Sequence, residues 1–215
     1  MRTQLTIDDI RSGLTAMANA LISQADELNK LDAAMGDGDT GVTIRIGATA
    51  VLHELSLYKE GDLATLLTRV GMSFNRAAPS TIGGLIATAG MRAGKRSKEL
   101  GATTVTLPVL VALVAAMEQG ISERGKARLG DKTLLDALIP AREALEQASA
   151  EGIEDIEAAG HRALAAAIAG RDTTAALQSR VGRASWVGTR TIGQVDPGAE
   201  IVVIAIHAAT GADHP

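Results

Sequence analysis

Three aspartates crowd together near the front of the chain. Asp32, Asp37 and Asp39 lie in the stretch Asn29-Lys30-Leu31-Asp32-Ala33-Ala34-Met35-Gly36-Asp37-Gly38-Asp39-Thr40-Gly41-Val42. Turns and helix caps use Asp and Gly in this way, and that accounts for one aspartate or two. It does not account for three, because like charges at short range repel and raise one another's pKa. A cation among them removes the conflict. With carboxylates and no His or Cys alongside, that cation is a hard one such as Mg2+, Mn2+ or Ca2+. A calcium EF-hand needs a glutamate at the twelfth loop position; counted from Asp37, that position is Ala48. Mg2+ takes one or two carboxylates together with phosphate oxygens, so three carboxylates suit two ions bridging a polyphosphate. Asp39-Thr40-Gly41 also runs into a helical pattern, and N–H groups at a helix start favour phosphate. The expectation is a Mg2+-nucleotide or another phosphate ester.

The elements around this stretch are helical. Thr6-Ile7-Asp8-Asp9 has capping-box spacing, and the apolar residues Ile10, Leu14, Met17, Ala18, Leu21, Ile22, Ala25, Leu28 and Leu31 follow at helical intervals. One amphipathic helix therefore delivers the chain to the aspartates. Further helices are expected over Val42–Leu55, from Asp62 to Phe74, over Leu85–Lys98 and over Leu107–Met117. Pro79-Ser80-Thr81-Ile82-Gly83-Gly84 reads as a break, and Gly120 to Gly130 as a polar, glycine-punctuated connection. Asp131 is expected to cap a helix to Ala148. Ile153–Ala169 reads as another helix, and Asp172 or Thr173 as the start of a short one to Val181. Gly182–Gly198 reads as a long loop, a feature that is often functional. The β-branched run Ala199–His207 follows Asp196-Pro197, a good helix opening, and no partner strand is apparent, so it reads as a buried helix. The count is seven to nine helices in one all-α domain.

Composition excludes several functions. The net charge is -4 with a pI near 5.6, which is no footprint for nucleic acid. One Phe, one Trp and one Tyr are too few rings for a base-stacking surface. With no cysteine there is neither a disulfide framework nor a thiolate zinc site. No secretory leader and no membrane span are read from the sequence, and a cytoplasmic location is the expectation.

The motif Asp32-x4-Asp37-Gly38-Asp39-x-Gly41, with Leu31 before it, resembles the metal loop of the dihydroxyacetone kinase L subunit family. A second block agrees: Ile121-Ser122-Glu123-Arg124-Gly125-Lys126, then Gly130-Asp131-Lys132-Thr133 and a helix holding Asp136 and Pro140. So does a third: Gly182-Arg183-Ala184-Ser185-Trp186-Val187-Gly188, then Ile192-Gly193, then Asp196-Pro197-Gly198-Ala199. The blocks keep their order over nearly the whole chain, which is identified as a member of that family.

The resemblance implies a single domain over residues 1–215, an antiparallel eight-helix barrel with the nucleotide in the loops at one end. Asp32, Asp37 and Asp39 would hold two Mg2+ ions at the phosphates of ADP or ATP. Thr40, Gly41, Val42 and Thr43 match the phosphate-contacting helix start, with Thr40 where many relatives have histidine. Gly125 and Leu134 match the adenine pocket, Arg183 an arginine near the phosphates, and Asp196, Pro197 and Gly198 the closing loop. Plainer readings stand beside these. Leu134 also suits a core, Asp196 a helix cap and Trp186 a packing anchor. Lys126 and Lys132 read as solvated rather than catalytic. His53, His161, His207 and His214 are scattered and take no role.

The match breaks at one turn. The family's Gly-Gly-x-Ser-Gly is replaced by Pro79–Gly84, with isoleucine at the serine's place, so Thr81 and Ile82 stand where phosphate contacts are expected. Ser80, Thr81 or backbone N–H groups of Gly83 and Gly84 are the substitutes. The resemblance further implies a K-type subunit that holds dihydroxyacetone, so this chain brings the nucleotide only. A phosphotransferase-system M-type subunit that rephosphorylates bound ADP is one version, exchange of ATP another, and a homodimer a further association. A related kinase for a tetrulose, or a non-catalytic nucleotide- or lipid-binding module, is the alternative function.

Overall fold

Polar caps cut the apolar pattern into helices. Thr6 and Asp9 form the expected reciprocal capping box at α1, Ile7–Ser23. A single residue, Gln24, then leaves helical geometry before α2, Ala25–Ala33. Hydrogen bonds continue across it, from Gln24 N to Ala20 O at 3.0 Å and from Leu28 N to Gln24 O at 3.0 Å. The apolar stripe is unbroken, which is why the sequence reads as one helix. Asp62 caps α4, Leu63–Ala77, by accepting from Thr65 N at 2.7 Å. The structure, a computed structural model, describes residues 1–59 and 61–211, with Arg183 described by its backbone alone. His214 lies outside the described residues.

The other helices are α3 (Thr40–Leu57), α5 (Thr81–Leu100), α6 (Leu107–Gly125), α7 (Leu135–Ala150), α8 (Ile156–Thr173) and α9 (Pro197–Thr210). Several boundaries differ from the sequence reading. Pro79–Gly84 is a helix start rather than a break: Ser80 caps α5 and accepts from Gly83 N at 3.0 Å. Helix α6 continues to Gly125, because Glu123 and Arg124 face solvent while Ile121 stays buried. Asp131 caps nothing helical, since α7 begins only at Leu135; its carboxylate closes a turn onto Arg128 N at 3.0 Å. The expected helix to Val181 is a single 3-10 turn, Thr174–Ala176. A two-residue antiparallel ribbon also exists, β1 (Gln4–Leu5) with β2 (Val105–Thr106), too short for any periodicity to reveal.

With α1 and α2 end to end as one rod, eight rods close into a ring. Each packs on the next in chain order, and α9 returns to α1. Short connections make neighbours antiparallel, so the all-α barrel expectation is met. Two clusters fill the ring: Leu28, Ile44, Leu66 and Phe74 in the first half, Leu107, Leu145, Leu164 and Val203 in the second. No helix among the described residues is long and apolar enough to cross a membrane.

Alternation divides the connections between two ends. Residues 34–39, 78–80, 126–134 and 174–196 lie at one end. At the other are the chain start, 58–62, 101–106 and 151–155, fastened where Arg2 O accepts from Ile156 N at 2.8 Å. Asp32, Asp37 and Asp39 and the residues matched to the nucleotide site lie at or beside the first end.

The most extensive seam joins α4 to α5. A Cβ added at Gly90 would sit 2.6 Å from Leu67 O and 3.0 Å from the Gly71 Cα. Gly90→Val is expected to lower stability by about 3 kcal/mol, as overpacked cores do. Urea denaturation monitored by far-UV circular dichroism checks this, and an unchanged midpoint would mean the helices do not meet so closely.

Candidate nucleotide and metal site

The acidic loop is built by α2 reaching under α3. Asp32, on the last turn of α2, accepts at Oδ2 from Asp39 N (3.0 Å) and Thr40 N (3.1 Å). One turn earlier on the same face, Asn29 Oδ1 accepts from Val42 N at 3.1 Å. Asp39 sits at the N-cap position of α3 yet makes no cap bond with its own side chain. Helix α3 therefore takes its caps from α2, and the Asp39 carboxylate has no capping task. Glycines make this approach feasible. Side chains at Gly41 and Gly36 would collide with the Ala25 carbonyl and with Asp32 Oδ1 respectively. Gly38, between Asp37 and Asp39, has φ +76, the left-handed region that favours glycine.

The outcome is a cluster in which one carboxylate oxygen each from Asp32, Asp37 and Asp39 lies within 4.8 Å of the others. Asp32 is the most buried and the other two are exposed. An all-oxygen, anionic donor set of this size fits a hard divalent cation. The N–H groups of Thr40 and Val42 already have protein acceptors, so neither is free to donate to an anion.

At α5, Thr81 is exposed and Ile82 packs half-buried against the first core cluster. The isoleucine is thus a core residue, and the Ser80 hydroxyl is committed to its cap. Gly125 ends α6. Beside it opens a cleft of about 540 Å³ lined by Ser122, Lys126, Ala127, Arg128, Arg180 and Val181. Leu134 joins the small core cluster beneath that loop, and Gly198 of α9 comes against it: a Cβ there would sit 3.2 Å from Leu134 N. The structure thus brings Leu134 together with Pro197 and Gly198. Arg183 opens a 3-10 turn, Arg183–Trp186. Trp186 is 87% exposed, so it is no packing anchor.

The residues that sequence reasoning missed lie underneath. Lys132, read as solvated, is fully buried. Its Nζ donates to Leu177 O (3.1 Å), Gln194 O (2.7 Å) and Thr191 O. Buried Asp136 ties the same loop by accepting from Gly130 N (2.6 Å) and Thr133 N (2.7 Å). Asp196 accepts from Ala199 N at 2.8 Å, and its own N–H donates to Thr174 Oγ1 at 2.9 Å. It is the expected cap, and it is buried. Burial, chiefly, and the nearby Asp136 charge push its pKa up to about 7, against the Ala199 N–H and the Lys132 ammonium. Burial pulls Lys132 down, partly offset by Asp196. Asn29 was detectable by its three-residue spacing from Asp32. Nothing in the letters around Lys132 announces burial.

The DAK2 domain family matches residues 34–211 of this sequence. The chain belongs to that family. The ADP-binding subunit DhaL of the PEP-dependent dihydroxyacetone kinase of Escherichia coli (strain K12) is 31% identical over 202 residues, covering 93% of each chain. The D-erythrulose kinase of Mycolicibacterium smegmatis is 32% identical over 219 aligned positions, covering 98% of this chain and 37% of that protein. Among solved structures, the dihydroxyacetone kinase of C. freundii in complex with AMP-PNP and Mg2+ superimposes with a TM-score of 0.75 at 26% identity. That superposition covers 99% of this chain but 35% of the kinase. The DAK2 match starts just after Asp32, so the first acidic residue and Asn29 belong to the helix leading into the matched region.

The buried Asp196 gives this DAK2 chain a pH signature. Its folded pKa of about 7 lies above the ordinary 3.8, so the native state holds the proton more tightly than the unfolded state. The stability linked to it is complete below pH 4 and is lost as pH rises to about 7. Asn keeps the cap acceptor without the charge. Between pH 4.5 and 7.5, wild type is expected to lose more stability than Asp196→Asn, by up to about 3 kcal/mol. Urea midpoints at the two pH values check this; parallel profiles would refute it.

Proposed function

We propose that this chain is the nucleotide-binding, phosphoryl-transferring subunit of a dihydroxyacetone-type kinase, one DAK2 domain that works with a separate ketose-holding subunit. The observation that carries the reading is the acidic trio at one end of the barrel, with Asp32 held in place by N–H groups at the start of the following helix, in a chain that belongs to the DAK2 family. Asp32, Asp37 and Asp39 hold Mg2+, and a pair of ions suits their number. Magnesium there neutralises charge on the nucleotide's phosphates, which is most of what phosphoryl transfer requires of a protein.

The chain's own residues position the nucleotide. Asp32 is fixed by two backbone donors, so its remaining oxygen is presented without reorganisation. Thr40, Gly41, Val42 and Thr43 border the phosphates with Thr81 and Ile82. Leu134 and Gly125 border the base, Asp196, Pro197 and Gly198 close the side, and Arg183 adds positive charge. The Ile82 side chain serves the core, so at that turn the backbone N–H groups and the Thr81 hydroxyl face the phosphates. No catalytic base is assigned to this chain. The acceptor and the group that takes its proton belong to the partner, a K-type subunit.

Bound ADP that is rephosphorylated by a phosphotransferase-system M-type protein is the favoured version. Its support is that relatives matched along almost their whole length are named ADP-binding subunits of PEP-dependent kinases. A tetrulose acceptor is the second reading, supported by relatives named erythrulose kinases. A cytoplasmic location goes with either.

Asp37→Ala is expected to weaken Mg2+-dependent ADP binding by at least about a hundredfold, roughly 2.7 kcal/mol, with unchanged helical circular dichroism. Titration calorimetry with and without Mg2+ reads this. Wild-type affinity in the variant would remove Asp37 from the site. Triose phosphate formed with a K-type subunit and dihydroxyacetone, and none without this chain, tests the activity.

A further inference from the structure

We propose that Lys132 is a positioning residue: it fastens the neck of a flap, residues 178–190, over the nucleotide end and so sets nucleotide affinity. The proposal rests on the nucleotide reading above for its binding arm only.

The geometry is that of a clasp. Lys132 lies on the 126–134 connection, and its three carbonyl acceptors, on Leu177, Thr191 and Gln194, lie on the 174–196 connection. Leu177 and Gln194 are far apart in sequence, yet one ammonium group gathers them. The chain between them thus leaves and re-enters the body at nearly one point, the shape of an Ω-loop. Other bonds follow the same neck. Gly193 N donates to Ala175 O at 2.7 Å, and Ser179 N to Thr191 Oγ1 at 3.1 Å. Arg180 N donates to Asp131 O at 3.1 Å, a second link between the two connections.

Two features set Lys132 apart from a lysine that merely fills space. Its acceptors are all carbonyls, so no carboxylate hydrogen-bonds its charge; burial of such a charge is tolerated only when each N–H is satisfied. Its backbone also sits at φ +61, a conformation that non-glycine residues rarely adopt. The loop bends out of its way to aim this side chain beneath the neck. Beyond the neck, the flap carries Arg183, the exposed Trp186 and Arg190, and its far end runs into Asp196-Pro197-Gly198. With the clasp open, the flap samples many positions, and affinity falls by the fraction of time it is correctly placed.

The test uses the full chain and Lys132→Met, which keeps the side chain's length and removes its donors. At a temperature where both proteins are folded by circular dichroism, the variant's Kd for Mg-ADP is expected to rise about tenfold. Trypsin is expected to cut at Arg180, Arg183 or Arg190 about tenfold faster. A global stability loss alone moves neither readout at that temperature. Unchanged affinity overturns the proposal, whether or not cleavage quickens. If Lys132→Met does not fold, Lys132→Gln, which is shorter and uncharged and cannot reach all three carbonyls, decides on the same two readouts. If the wild type itself does not bind Mg-ADP, the nucleotide reading fails instead, and cleavage alone judges the clasp: equal rates overturn it, faster cutting supports it.

Discussion

Backbone N–H groups at the start of α3 donate to Asp32 and Asn29 of α2, and the acidic loop exists because of that exchange. A helix start leaves several donors without partners. Here the preceding helix supplies the acceptors, so Asp39 does not have to. The chain is pulled back on itself across six residues, and three carboxylates are left on one side of a tight turn. Each condition depends on the others. Without Gly41 the helices stay too far apart for the bonds, and without Gly36 the Asp32 carboxylate has no room. On the proposed function, the three carboxylates gathered there are what a divalent ion arriving with a nucleotide would meet.

The far side of the same end follows a different logic. There the charges are buried beneath the loops instead of displayed on them. Lys132, Asp136 and Asp196 sit below the 126–134 and 174–196 connections, and each holds backbone groups. The two halves of the end are therefore unlike: one is an open acidic turn, the other a pair of loops stiffened from below. A site that must admit a charged ligand and then enclose it needs both properties.

Much of this was legible in the letters, because periodicity and capping are local. The Thr6–Asp9 box, the Asp62 cap and the Asp196-Pro197 opening all follow from chemistry within four residues. The acidic motif and its two companion blocks pointed to the family before any coordinates. What escaped was non-local. Asp131 resembles a cap as closely as Asp62 does, and only the Gly130 and Thr133 bonds to Asp136 explain why α7 starts later. The α1–α2 break leaves no trace, since its hydrogen bonds and apolar stripe run straight through. Lys132 has the composition of a surface residue, and its burial is decided by a segment more than forty positions downstream. Trp186 erred in the opposite sense, because a large ring implies burial only where a core exists to receive it.

That lone indole has a practical consequence. With no other tryptophan in the sequence, the chain's indole fluorescence comes from a single exposed point on the flap. The barrel contributes nothing to it. The molecule therefore carries its own optical reporter on that segment, and spectroscopists need attach no dye.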